Sequence, residues 1–302
     1  MARSLFITGA SGFIGRHLLA RLAPRRYERI FCLTRRASAV PGLVDHPNVT
    51  WLTGSLFDSD RYRNCLDASV TVIHLAAATG KALPREYYSV NRDGTRRLLE
   101  CCRERRVRNF LHVSSIAANY RDKAHYDYAQ SKLESEEIVA KSGLSYTILR
   151  PTIVAGQDST GWKTLARLAQ MRLVPVFGDG SARIQPIDVD DLADAMISII
   201  DREDFRNESF DIGGPDVLTM EELLRKMHRL NNGDEAKIVR LPYGPMRLVV
   251  TCAESLLPSL LPVNAGQLSV FVQDGTVASN RLHDERRPFM KDLDTMLRGL
   301  VQ

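Results

Sequence analysis

Short apolar runs rich in valine, isoleucine and leucine recur along the first half of the chain, separated by longer amphipathic stretches. They fall at residues 5–7, 30–33, 49–52, 70–74, 110–113 and 146–149. Runs of this length that are apolar on both faces predict strands of a parallel sheet covered by helices on both sides. Between them the pattern changes to a helical period. Ile14, Leu18 and Leu22 share one face of a helix over 12–22, a second helix spans 85–105 with apolar positions at Leu98 and Leu99, and a third runs over 127–141. Strand and helix alternate, so the predicted class is α/β, a Rossmann-type doubly wound parallel sheet.

After Arg150-Pro151 the rhythm loosens, with Gly156, Gly161, Gly178 and Gly180 and then Pro242, Pro245, Pro258 and Pro262. The expectation is a nucleotide-binding domain over 1–150. Residues 151–302 then form mainly a smaller C-terminal substrate lobe, with some strands and helices returning to the core. The stretch 246–261 is apolar but broken by Arg247, Glu254 and Pro258. It reads as an amphipathic helix packed on that lobe, with a wall of a greasy-substrate pocket or a membrane-surface contact as the sharper alternatives.

The first candidate chemistry lies where the first strand meets the first helix. Thr8 to Gly15 reads TGASGFIG, placing Gly9, Gly12 and Gly15 at the turn. A dinucleotide pyrophosphate needs small residues here, because it must approach the backbone and the positive end of the helix. At the end of the second strand an acidic residue would bind the ribose 2′-hydroxyl of NAD. This chain has Thr34-Arg35-Arg36, two guanidiniums suited to a 2′-phosphate. NADP(H) is therefore the preferred cofactor, with NAD(H) as the alternative if these arginines are loop charges.

Tyr128 and Lys132 stand at i and i+4 on the third helix, where a lysine beside a phenol favours its ionised form. The strand ending His112-Val-Ser-Ser115 can bring a hydroxyl to the same carbonyl oxygen. Tyr126 has Gln130 at i+4 and lacks the lysine partner.

These motifs, with GSLFD from Gly54 to Asp58, HLAA from His74 to Ala77, NRDGT from Asn91 to Thr95, RPTIV from Arg150 to Val154, IDVDDLA from Ile187 to Ala193 and FDIGGP from Phe210 to Pro215, stand in one order along nearly the whole chain. In that order they resemble the extended short-chain dehydrogenase/reductases, the nucleotide-sugar epimerase and dehydratase branch and its relatives. The resemblance implies that Gly9, Ser11, Gly12, Phe13, Ile14 and Gly15 hold the pyrophosphate. It implies that Arg35 and Arg36 meet the 2′-phosphate, and that Leu56, Ala76 and Ala77 form the adenine and ribose side. Asn91, Pro151 and Ile153 join the cofactor site by the same resemblance. Tyr128 would be the acid/base, Lys132 would bind the nicotinamide ribose and tune that tyrosine, and Ser115, or its neighbour Ser114, would hold the reacting oxygen. Homodimers built on the helices over 85–105 and 127–141 are common in the family.

Two departures shape the substrate reading. Between Gly178 and Ile187 the nucleotide-sugar members carry an arginine that clamps the diphosphate, and this chain has Ile184 at that place, with Arg183 one step away. One step along a strand turns a side chain to the opposite face. The Ile-Gln-Pro-Ile form from Ile184 to Ile187, and the 267–279 segment, resemble atypical members related to the nucleotide-binding accessory subunit of respiratory complex I. The substrate is thus a nucleotide sugar or a more apolar ketone or alcohol, handled by a reductase or an epimerase. A dehydratase ranks last, because Ile116-Ala117 replaces the acidic pair such enzymes use. The rival from another class is a protein that binds NADP(H) as a structural or regulatory group without turnover.

Composition narrows the rest. With 302 residues and 44% hydrophobic content the chain has material for a large core. Five cysteines without a CxxC pair read as reduced and mostly buried. For the acidic run Asp188, Asp190 and Asp191 the resemblance implies a structural role, with an aspartate capping a helix that begins at Leu192, and no metal is expected. The charge of +5 is spread over helix-like segments without interleaved aromatics, which points away from nucleic acid. The N-terminus runs straight into the first strand and no apolar run approaches a membrane span, so a cytoplasmic protein with a small-molecule substrate is expected.

Overall fold

The computed structural model describes residues 3–23, 26–35, 46–256 and 264–300. The chain begins with β1 (Ser4–Thr8), α1 (Phe13–Arg21), β2 (Arg29–Thr34), β3 (Val49–Thr53) and β4 (Val70–His74). Then come α2 (Pro84–Tyr87), a π-helical turn (Tyr88–Gly94), α3 (Thr95–Glu104), β5 (Asn109–Val113), α4 (Asp127–Ala140) and β6 (Ser145–Pro151). The later part carries β7 (Val154–Ala155), α5 (Thr160–Ala169), β8 (Val174–Phe177), β9 (Arg183–Ile184), β10 (Ile187–Asp188), α6 (Val189–Arg202) and β11 (Glu208–Ile212). It ends with β12 (Leu218–Thr219), α7 (Met220–Asn232), β13 (Ile238–Leu241), α8 (Tyr243–Leu256), α9 (Arg281–Arg286) and α10 (Leu293–Leu300).

Contacts divide the chain into two units, the first made of Met1–Ser115, Ser131–Arg150 and Val189–Phe210 and the second of Ile116–Gln130, Pro151–Asp188 and Asp211–Gln302. A seven-stranded sheet ordered β11-β6-β5-β4-β1-β2-β3 organises the first. Its pairs β1·β2, β2·β3, β1·β4, β4·β5 and β5·β6 are parallel, with Thr8 paired to both Leu33 and His74. Strand order reverses around β1, so a crevice opens beyond its C-terminal end, where doubly wound sheets bind ligands. Phe6, Val72, Leu98, Phe110 and Ile148 belong to one core cluster in this unit. Burying such side chains stabilises each by roughly 1.5–3 kcal/mol.

The second unit has its own core, in which Trp162 and Leu165 of α5, Val176 of β8 and Leu223 and Met227 of α7 meet. Its strands pair in twos: β7 with β10 and β8 with β13 in parallel, β9 with β12 antiparallel. Thr219 caps α7 by accepting from the Glu222 N–H at 3.2 Å, while Glu222 accepts the Thr219 N–H at 2.7 Å, a reciprocal capping box.

Two expectations are corrected by the structure. The helix predicted over 85–105 is interrupted by the π turn, which adds a residue to one turn of the backbone. The helix predicted from Leu192 begins at Val189, because Val189 and Leu192 are both buried on its inner face. Asp190 and Asp191 therefore sit inside its first turn, and Asp190 accepts from His17 at 2.7 Å. Of the cysteines, Cys32, Cys101 and Cys102 are buried and Cys65 half-buried, but Cys252 is exposed. Among the described residues, no helix is long and apolar enough to cross a membrane.

Candidate active site

Three glycines at the end of β1 serve three different needs. Gly9 has φ +70°, and a Cβ there would lie 2.6 Å from the Ala76 backbone nitrogen, so only glycine lets this turn pass the end of β4. A Cβ on Gly15 would fall 2.4 Å from the Gly9 carbonyl oxygen, which makes Gly15 a packing position between helix and turn. Gly12 is different: its backbone is extended (φ −76°, ψ 174°), and an added Cβ would meet only the Gly9 oxygen at 3.1 Å. It is the N-cap of α1, with no side-chain cap and no acidic residue in the first turn. First-turn N–H groups have no acceptors within their own helix, so they and the dipole end are available to an anion.

A cleft of about 450 Å³ lies at this turn, within the first unit. Of the residues expected at the cofactor, Gly9, Ser11, Gly12, Arg35, Leu56, Ala76 and Ala77 line it. Phe13 and Ile14 open α1, and Gly15 is buried behind them. Asn91 is buried in the π turn. Pro151 and Ile153 belong to the second unit. Arg36 lies outside the described residues.

The cleft also has walls that were not assigned to the cofactor: Thr8, Thr34, Gly54, Ser55, Phe57 and Leu75, which stand in the motifs, and Leu33 and Val90, which stand outside them. Thr34 is tied to the phosphate turn by a 2.9 Å hydrogen bond with the Ser11 hydroxyl. The loop after β3 is shaped by Asp58, which accepts the Ser55 N–H at 2.8 Å and the Ser55 hydroxyl at 2.9 Å. Those bonds hold the Asp58 carboxyl below the usual carboxylate range. Tyr62 donates to the Leu56 carbonyl at 2.7 Å and so fixes that residue's place in the wall. Their places in GSLFD, on either side of Leu56, were the available signal for Ser55 and Phe57.

These features fit a dinucleotide. The volume is within the range of small-molecule sites, the uncapped helix start suits a pyrophosphate, and Arg35 stands on the wall at the end of β2.

Deeper in the first unit, Lys132 is 2% exposed and its Nζ donates to the Val113 carbonyl at 2.8 Å. Burial brings its pKa down from 10.5 to about 8, with Glu136 opposing. Glu136 is itself clamped by Arg150, whose Nε and Nη2 reach its carboxylate at 2.9 and 2.5 Å. At the end of β5, Ser115 is half-buried. Ser114 is buried, and its hydroxyl has no hydrogen-bond partner among the described residues.

In the second unit, Tyr128 is half-buried in the first turn of α4, one helical turn before Lys132. Its ring lies 5.7 Å from that of Tyr126, which stacks 6.4 Å from Tyr120. Burial, with Tyr128 and Asp274 nearby, pushes the Tyr120 phenol up and keeps it neutral. Also in this unit, Ile184 is 1% exposed, while Arg183 faces solvent and binds Asp274 through Nη2 at 3.1 Å. The neighbouring Gln185 is buried, donating to the Gly214 carbonyl at 2.6 Å and accepting the Val277 N–H at 2.9 Å. No cluster of three or more metal-ligating side chains occurs among the described residues.

Comparison with known proteins gives a consistent result. The model of the NAD dependent epimerase/dehydratase family matches residues 5–213. A ceramide reductase of Caulobacter vibrioides is 29% identical over 245 residues, covering 78% of this chain and 73% of that protein. A mitochondrial NADH dehydrogenase [ubiquinone] 1 alpha subcomplex subunit 9 of Arabidopsis thaliana is 24% identical over 300 residues, 91% of this chain and 71% of that one. Among solved structures, UDP-glucuronic acid 4-epimerase from Bacillus cereus in complex with NAD superposes with a TM-score of 0.67 at 19% identity, covering 88% of this chain and 94% of that one. That last likeness is one of fold.

Proposed function

The chain belongs to the NAD-dependent epimerase/dehydratase family, and from that premise we propose that it is an NADP(H)-dependent reductase or epimerase acting on a carbinol or carbonyl carbon. The observation that carries the reading is the glycine turn and cleft at the head of β1, in the same unit as a buried lysine whose pKa is drawn toward neutrality. A cavity and a polar lysine kept inside a core are costly to maintain for packing alone.

In this reading the first-turn N–H groups of α1 hold the pyrophosphate. Arg35 and Arg36 meet the 2′-phosphate, and Leu56, Ala76 and Ala77 hold the adenosine side. The nicotinamide, when bound, gives or takes a hydride at C4. Lys132 holds the nicotinamide ribose and, as a cation one turn along α4, favours the phenolate of Tyr128. Tyr128 moves the proton to or from the substrate oxygen, and Ser115 donates a hydrogen bond to that oxygen.

For the substrate we favour an apolar ketone or alcohol over a nucleotide sugar. Arg183 is engaged by Asp274, and Ile184 is packed into the core. The relative named as a ceramide reductase supports the same direction. Ile116 and Ala117 are buried apolar residues and supply no acid for a dehydration.

Replacing Tyr128 by Phe tests the catalytic reading. The variant should bind NADPH as wild type does and lose about 10²–10⁴ of its turnover on the best substrate found in a panel of apolar ketones and nucleotide sugars. Undiminished turnover would remove Tyr128 from the chemistry.

A further inference from the structure

Strands β4 and β5 run in parallel register with His74 directly opposite His112. The two rings stack 5.4 Å apart at 25°, and each residue is 1% exposed. Two imidazoles in a core are unusual filler, and the reading above gives them no role.

Their neighbours fix where each proton sits. The Thr95 hydroxyl has one hydrogen, and it is directed at the Asn91 carbonyl at 2.6 Å. Thr95 Oγ1 must therefore accept from His74 Nε2, 2.8 Å away. His74 Nδ1 is then an acceptor for the Thr8 hydroxyl at 2.7 Å, and Thr8 in turn accepts the Ala76 N–H at 3.2 Å. The same argument holds for the second ring. Ser135 donates its hydroxyl to the Lys132 carbonyl at 2.7 Å, so it accepts from His112 Nε2 at 3.0 Å. His112 Nδ1 is left as a buried acceptor with no partner among the described residues.

Each chain of bonds ends on a residue of the proposed site. Lys132 is held twice, by Val113 at its ammonium and by Ser135, backed by His112, at its own carbonyl. Asn91 is held at its carbonyl by Thr95, backed by His74. Its side chain then accepts the Ala78 N–H at 2.7 Å and donates to the hydroxyl of Ser131, the residue before Lys132, at 3.0 Å.

We propose that the stacked pair His74 and His112, neutral and protonated at Nε2, is the positioning element that holds Lys132 and Asn91 in place for the nicotinamide side of the cofactor. The proposal rests on the reading of Lys132 as the ribose ligand. The charged groups that act on the pair are Lys132 from α4 and Arg150 from β6. Burial and the nearby ammonium bring His74 down to about 3 and hold His112 well below its ordinary value. The pair therefore keeps one protonation state through the working range of pH and serves as fixed support.

Two substitutions separate support from filling. His112→Phe keeps a ring in the stack and removes the donor to Ser135, while His112→Gln returns an N–H donor near the same place. NADPH is titrated by fluorescence alongside adenosine 2′,5′-bisphosphate, which carries the 2′-phosphate but no nicotinamide ribose. His112→Phe should weaken NADPH by about tenfold, as one lost hydrogen bond implies, and leave the bisphosphate within about twofold. His112→Gln should recover most of the loss. Equal weakening of both ligands, unchanged NADPH affinity, or a Gln variant no better than Phe would each overturn the proposal.

Nitrogen-15 spectra of the wild-type protein without cofactor give a second test that needs no variant to fold. Both rings should carry their proton on Nε2 from pH 6 to 8, and a ring protonated at Nδ1 would refute the assignment. Failure of the wild type to bind NADPH at all is a different result, which removes the functional reading and this proposal with it.

Discussion

Gly9, Gly12 and Gly15 look alike in the motif, yet the space around them assigns different costs to a side chain. Gly15→Ala should destabilise the protein by about 1–3 kcal/mol, because its Cβ would press on backbone oxygens that cannot move aside. Gly12→Ala should lower the melting temperature less than Gly15→Ala and weaken NADPH binding more, because its Cβ would meet one backbone oxygen at 3.1 Å where that of Gly15 meets three backbone atoms at 2.4–2.7 Å, and because Gly12 lines the cleft. Thermal melts and NADPH titrations of the two variants check this; the same loss in both would show that the glycines do one job.

Lys132 carries a sign that can be worked out. Its folded pKa, about 8, is below the 10.5 of an exposed lysine, so the unfolded chain binds the extra proton between those values. The burial penalty is full below pH 8 and is relieved as pH rises toward 10.5. The stability of wild type relative to Lys132→Met should rise by about 2 kcal/mol between pH 7.5 and 9.5. Groups common to both proteins cancel in that difference, so urea unfolding at the two pH values reads it, and a flat difference would mean that Lys132 is not desolvated.

At the scale of elements, β1, β2, β4, β5 and β6 were legible because a parallel strand covered on both faces is largely apolar, while β3, an edge strand with no buried residue, was legible only from its short Val-Thr-Trp-Leu run; the ends of all six shifted by no more than one or two residues. The stretch 84–104 was legible as helix but not as a helix with a π turn. The apolar positions that marked this helix, Leu98 and Leu99, both follow the π turn, so their pattern carries no trace of it. The turn matters because it carries Asn91, whose side chain reaches Ala78 and Ser131. The start of α6 was missed for a different reason: the acidic run suggested a cap, but buried Val189 had already turned into the helix. In the cleft, Gly12, Leu56 and Ala76 were assigned from their motifs, whereas Thr34 and Ser55 are held there by hydrogen bonds to Ser11 and Asp58 that only the folded chain brings together, and Val90 stands in no motif. The exposed side of α8, with Leu248 and Val249 at 66% and 57% exposure, follows the apolar run seen in the sequence, and its N-terminal half packs Tyr243, Met246 and Val250 on the second core.

The whole molecule offers a separate reporter in each unit, since the chain has two tryptophans, Trp51 on β3 in the first and Trp162 on α5 in the second. In a Trp162→Phe protein, fluorescence follows the cofactor unit alone. NADPH at a hundred times its dissociation constant should stabilise that unit by about 2.7 kcal/mol, and an unfolding midpoint that ignores NADPH would place the cofactor elsewhere.

The claim on which the rest depends is that the β1–α1 cleft binds NADP(H) through its pyrophosphate turn and the arginines at the end of β2. Calorimetric titration of the protein with NADPH and with NADH tests it most directly, repeated after Arg35→Ala and Arg36→Ala are introduced together. NADPH should bind at least about tenfold more tightly than NADH, and the double substitution should remove that preference while leaving NADH affinity within about twofold. Equal affinity for the two cofactors in the wild type, or an equal loss of both in the variant, would contradict the assignment of the 2′-phosphate to these arginines, and absence of binding to either would contradict the cofactor site itself.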